Sequence, residues 1–151
     1  MGDDSVGIHV VRTLRKKLGT DNELEFKELS VGGLQLVEEM LGYDQVFLID
    51  SMESDREQAG RIRELSPEQF KATEQSGPPH ITDFATALEL YRRLTPSKIP
   101  SKIRIFTIDI EPTLTFSEEM NESIRSAANK LVEKIAREIQ QSCSNTTQLN
   151  R

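Results

Sequence analysis

The chain is poor in the residues that carry the commonest short signatures. It holds one cysteine, Cys143, two histidines, His9 and His80, and no tryptophan in 151 residues. A single cysteine excludes a disulfide within the chain and a cluster of thiolate metal ligands. Cys143 lies in a polar tail, which argues against a nucleophilic role. No apolar run approaches the roughly 20 residues that span a bilayer, and no secretory leader opens the sequence. The cytoplasm is the expected compartment, and Asn145-Thr146-Thr147 is only the spelling of a glycosylation acceptor. Aromatics make up 5% and the formal charge is −6. No basic stripe interleaves with aromatics, so nucleic acid is not an expected partner. Also missing are Gly-x-Ser-x-Gly, a Ser–His–Asp series, a phosphate-cradling loop, His-Glu-x-x-His and any internal repeat.

What is present is a pattern of alternating helices and strands. The length fits one domain, and 36% hydrophobic residues are enough for a core. Gly7, Val10, Val11, Leu14 and Leu18 mark one face of a first helix, with Asp3 or Asp4 as a possible cap and Gly19 as its end. Leu24 to Leu29 reads as a strand, and Leu34, Val37, Met40 and Leu41 as a short helix stopping at Gly42. Val46 to Ile49 is a continuous apolar run, as in a parallel strand covered on both faces. Gly60 to Leu65 reads as an edge strand and residues 66–80 as a polar loop. Phe84, Ala87, Leu88, Tyr91 and Leu94 form a third helical stripe, and Ile103 to Ile110 a strong strand. In that strand Asp109 alternates with isoleucines and is expected to face solvent or an edge. Thr115 with Glu118 has the form of a capping box, and Met120, Ile124, Ala127, Leu131, Ile135 and Ile139 mark a long last helix. The expected architecture is a three-layer α/β/α sandwich around a mostly parallel twisted sheet. Residues 1–140 form the domain and 141–151 a disordered polar tail. The chain opens on a helix start with no strand ahead of it, so the first strand of the fold is expected to lie upstream of Met1.

Three residues stand where apolar segments give way to loops or helix starts. They are Asp4 in Gly2-Asp3-Asp4-Ser5-Val6-Gly7, Asp50 after Val46-Phe47-Leu48-Ile49, and His80 in Pro78-Pro79-His80-Ile81-Thr82-Asp83-Phe84. An open α/β sheet gathers such positions along the carboxyl edge of its strands. Two carboxylates and an imidazole suit nickel, zinc, manganese or iron, and three protein ligands leave positions for water or substrate. Each also has an ordinary reading. Asp4 can be a helix cap, Asp50 can cap a turn, and His80 can be a surface loop residue. His9 reads as a helix-face residue. Gly32-Gly33 reads either as a close approach to a bound peptide or as a strand-to-helix turn.

In order, these segments resemble the hydrogenase maturation endopeptidases, which process nickel–iron hydrogenase large subunits. The resemblance rests on Gly2 to Gly7 with Val10-Val11, then Gly32-Gly33, Phe47 to Asp50, Pro79 to Phe84 and Ile110-Glu111-Pro112, and it covers residues 1–139. It implies an enzyme that removes a C-terminal extension from the large-subunit precursor after nickel insertion. Asp4, Asp50 and His80 match the family's metal-contacting residues, so they would contact nickel supplied by the precursor. Water is the expected nucleophile and a monomer the expected state. The family's opening strand and Gly-Asn loop are not found here, and Ser5, Val31, Ser51 and Pro78 depart from its usual residues.

Two other classes share parts of this pattern. A phosphoacceptor receiver-like signalling domain also pairs early acidic residues with a strand-end Asp, here Asp50. It requires a Lys at the end of a late strand, where this chain has Glu111-Pro112, and it leaves His80 unused. Stable acylphosphate on Asp50 would identify it. An autonomous metallohydrolase would bind its own metal tightly and act on unrelated esters or peptides.

Overall fold

The computed structural model describes residues 5–19, 23–72, 84–112 and 119–149. Helix α1, Val6–Leu18, buries Val6, Val10 and Leu14, one face at helical spacing. Its N-cap is Ser5, with no side-chain cap bond, in place of the expected aspartates, which lie outside the described residues. Arg15, Lys16 and Lys17 fill its last turn, where the helix dipole favours cations, and the Gly19 N–H donates to the Arg15 carbonyl. Helix α2, Gly33–Met40, buries Leu36, Val37 and Met40.

Among the described residues the sheet has three strands: β1, Gln45–Glu53; β2, Ile62–Leu65; and β3, Lys102–Ile110. Their order is β1-β3-β2, with β1 parallel and β2 antiparallel to β3. The central strand shows its position in its burial. Ile105 to Ile110 are all buried, whereas most of β1 is half-buried. Phe106, Ile108 and Ile110 point to one face, covered by α1 and the long last helix. Ile103 and Ile105 point to the other, covered by α2 and by a helix at Phe84–Leu94. In chain order the helix at Pro67–Ala72 is α3, Phe84–Leu94 is α4 and Glu122–Leu149 is α5. The three-layer α/β/α arrangement is therefore as expected. No helix among the described residues is long and apolar enough to cross a membrane.

Four local features differ from the sequence reading. Residues 24–29 join no strand among the described residues, although their side chains alternate. Phe26 packs into the α1/α5 core and Glu28 pairs with Arg12, while Lys27 reaches Glu39 of α2. Alternate side chains thus go to opposite helix layers, as in a strand. The Phe26 carbonyl, however, accepts from Arg15 at 3.0 Å, and no ladder joins this segment to β1 among the described residues. The expected loop from residue 66 begins with α3, closed by a reciprocal capping box. The Ser66 hydroxyl accepts from the Gln69 N–H at 3.1 Å, and the Gln69 amide oxygen accepts from the Ser66 N–H at 2.9 Å. Helix α5 continues past Gln140 to Leu149. Asp109, expected at the surface, is fully buried, because helices cover both faces and an arginine from β2 supplies its counter-charge.

An ionic cluster ties the edge strand to α5. Arg104 donates to Glu64 at 2.6 Å and pairs with Glu138, and Lys134 reaches Glu64 at 3.3 Å. The guanidinium also lies over the Phe47 and Phe106 rings, 5.5 and 5.1 Å from their centroids. Arg104 foremost, then Lys134, holds the Glu64 carboxyl below its ordinary range. A depressed carboxyl stabilises the fold above its unfolded value, about 4.3, and that contribution is lost as pH falls through the folded value. Glu64→Gln is therefore expected to melt below wild type at pH 7, with the gap closing as the pH drops below about 4. Thermal melts across that range check this, and a gap independent of pH would refute it.

Candidate functional site at the carboxyl edge of the sheet

Of the three predicted site residues, Asp50 falls within the described residues. Asp4 and His80 lie outside them, as do residues 78–83 of the His80 motif and the Thr115–Glu118 box. The structure accordingly bears on Asp50 and on what surrounds it. Strand β1 runs on to Glu53, so Asp50 is an internal strand residue. The residue is half-buried, and one carboxylate oxygen accepts from the Ser51 N–H at 2.8 Å.

Gly7 fixes α1 against the backbone of the strand that carries this residue, on the face opposite its side chain. A Cβ at position 7 would lie 2.6 Å from the Ile49 carbonyl oxygen and 3.6 Å from the Asp50 Cα. Only a residue without a side chain allows so close a crossing of helix over strand. The first turn of α1 thus sits on the backbone at Ile49–Asp50. A helix N-terminus carries partial positive charge and favours an anion nearby, and this first turn contains no acidic residue that would offset it.

The side of the sheet that carries Asp50 is settled by alternation. Val46, Leu48 and Met52 of β1 pack in the α2/α4 core, so Asp50 faces the same way. In register, Asp50 stands opposite Thr107, and Met52 opposite Asp109. Thr107 and Asp109 follow Ile103 and Ile105 on that side of β3. The apolar floor therefore turns polar next to Asp50. Arg63 of β2 donates to one Asp109 oxygen through Nε at 3.0 Å and Nη2 at 2.8 Å, and Nη2 also donates to Gln58 at 3.0 Å. Sequence reading missed Thr107 and Asp109. The signal was present in the break from Ile-x-Ile to Thr-x-Asp in an otherwise apolar strand.

The other motif positions take simpler roles. Gly33 opens α2 at φ +55, a left-handed conformation that strains residues with a side chain. Gly32-Gly33 is thus at least a tight entry into a helix. Glu111, just past β3, makes a long exposed pair with Arg56 at 3.9 Å. Among the described residues no three His, Cys, Asp or Glu converge as a metal site.

Comparison with known proteins bears on the same frame. Residues 8–138 match the family model HycI, described as hydrogenase maturation protease. No curated protein sequence matches. Among solved structures, the hydrogenase maturating endopeptidase HybD from E. coli superposes with a TM-score of 0.71 at 17% identity, covering 94% of this chain and 86% of that one. The [NiFe] hydrogenase maturation protease HybD from Thermococcus kodakarensis gives 0.64 at 22% identity, with 92% and 90% covered. The [NiFe] hydrogenase maturation protease HycI from Thermococcus kodakarensis KOD1 gives 0.61 at 23%, with 90% and 83% covered. At these identities the superpositions bear on fold, and the family match on kind.

Proposed function

Because the chain belongs to the hydrogenase maturation protease family, we propose that it is the endopeptidase that removes the C-terminal extension of a nickel–iron hydrogenase large-subunit precursor once nickel is in place. The observation that carries this reading is the seating of the α1 first turn on the β1 backbone at Asp50, with Gly7 as the contact. That contact brings an acidic strand residue and the start of a helix, preceded in sequence by Asp4, to one end of the parallel pair β1–β3. Asp4, Asp50 and His80 are assigned to the nickel that the precursor carries. Carboxylate and imidazole donors suit that ion. The metal is then cargo of the substrate, and recognition of it restricts cleavage to a completed precursor. The enzyme acts as a cytoplasmic monomer, and water is the nucleophile, since the sequence offers no Ser or Cys in a recognisable nucleophile motif.

The test is processing of purified precursor in two states, followed by intact-mass measurement. Nickel-loaded precursor is expected to lose its C-terminal extension and the nickel-free form to keep it. Cleavage of both forms at one rate would remove nickel from the reading.

A further inference from the structure

A cation shares one cross-strand row with Asp50. Thr107 of β3 is in register with Asp50 of β1 and, on its other side, with Arg63 of β2. Residues in register point to one face of a sheet. Leu65 of β2 packs in the α2/α4 core with Leu48 and Met52 of β1, whereas Ile62 packs on the opposite face. Arg63 therefore lies on the Asp50 side. Two strand spacings, roughly 10 Å, separate their Cα positions. The bonds from Arg63 to Asp109 draw its guanidinium out of that row, toward the carboxyl edge of β3. There the Arg63 side chain is 29% exposed, although the Asp109 carboxylate is fully buried. A bound group can thus meet Arg63 from solvent and needs no access to Thr107 or Asp109.

The donors of Arg63 are divided between two directions. Nε and Nη2 donate to Asp109 Oδ2 at 3.0 and 2.8 Å, and Nη2 also donates to the Gln58 amide oxygen at 3.0 Å. These bonds fix the plane of the fork. They use no hydrogen of Nη1, which carries two of the five guanidinium donors and is unengaged among the described residues. A counter-charge for Asp109 accounts for one side of the fork and leaves the other aimed by the same contacts.

We propose that Arg63 Nη1 holds the carbonyl oxygen of the scissile peptide and the negative charge this oxygen gains during cleavage. This rests on the protease reading above. In the step, the water oxygen bonds to the carbonyl carbon and the π pair of the C=O bond moves onto its oxygen, where Nη1 donates to it. The pair then returns as the C–N bond breaks, and a proton of the water leaves on the amine nitrogen. The products are a carboxylic acid and an amine, with no change of oxidation state. A donor already fixed by Asp109 and Gln58 reorganises little as the charge appears, which is the condition for strong stabilisation.

Arg63→Lys tests the assignment, because it keeps a cation for Asp109 and removes the Nη1 donors. Its Tm is expected to stay within about 4 °C of wild type. For nickel-loaded precursor, kcat should fall by about a hundredfold or more, as for loss of an oxyanion donor, with KM within about twofold. A second variant, Arg63→Gln with Asp109→Asn, exchanges the ion pair for an uncharged amide pair and should lose kcat to the same degree while remaining folded. Wild-type kcat in either folded variant overturns the proposal and leaves the protease reading intact. A raised KM at unchanged kcat also overturns it, since that shows ground-state binding only. So does a loss of rate matched in both variants by loss of folded protein, which shows a structural role only. Wild type that cleaves neither precursor form overturns the protease reading, and this inference with it.

Discussion

Asp50→Asn is expected to lower processing of the nickel-loaded precursor by about a hundredfold or more, close to 2.7 kcal/mol of transition-state stabilisation at 1.36 kcal/mol per tenfold. The substitution is nearly isosteric. An amide oxygen at the same place can still accept from the Ser51 N–H, now at 2.8 Å. The change in stability should therefore stay within about 1 kcal/mol, as for most substitutions that spare packing and buried bonds. What is removed is the negative charge, the property a metal-bearing substrate would need. Cleavage assays paired with thermal melts separate the two effects. If Asp50→Asn processes precursor at the wild-type rate, Asp50 is not part of the site, and the assignment of nickel recognition to this edge fails.

Gly7→Ala is expected to destabilise the fold and also slow processing, by displacing α1. Two effects oppose each other. Alanine is the better helix former, by about 1 kcal/mol at an interior position and less in a first turn. Against that, the new methyl would sit 2.6 Å from the Ile49 carbonyl oxygen, a distance real contacts do not reach. The atom it meets is backbone of a paired strand, so no side chain can swing aside. Overpacking of this kind costs about 1–3 kcal/mol, so the clash outweighs the propensity. At roughly 2–4 °C per kcal/mol for a chain of this size, the melt should drop by several degrees. Relief requires the first turn of α1 to lift from Asp50, and processing should fall with it. A melt at or above wild type would show that α1 does not rest on β1 as described.

Much of the fold follows from local pattern. The stripe Val10–Leu14 of α1, the stripe Ile124–Leu131–Ile135 of α5, and the runs at Val46–Ile49 and Ile103–Ile110 all become core. Each is legible because burial on one helix face or in a covered strand leaves a period in the sequence. The stripe of α4 is legible only in its first half. Phe84, Ala87 and Leu88 are buried, but Leu94 is 65% exposed, beyond the reach of the covering layer. Helix α3 was read as loop, because its one signal, the cap signature Ser66-Pro67-x-Gln69, sits in a polar stretch without a stripe.

The candidate site divides differently. Asp50 can be picked out from sequence because a carboxylate after four apolar strand residues is costly unless used. That Thr107 and Asp109 adjoin it cannot be read so, since they are distant in sequence and only the parallel register of β1 on β3 sets them beside it. The same holds for Asp109 itself. Alternation with isoleucines reads as an exposed edge, but burial depends on how many layers cover a strand and on whether an arginine is at hand.

By itself, then, the sequence determined the types of the longer elements, most of their buried faces and the family, because these rest on local periodicity and on ordered motifs. The tertiary structure decided the strand order β1-β3-β2, the reversed direction of β2 and that residues 24–29 pair with no strand among the described residues. It also decided the polar floor beneath Asp50. All four depend on which backbones lie within hydrogen-bonding distance, and that is fixed by contacts between segments far apart in the chain.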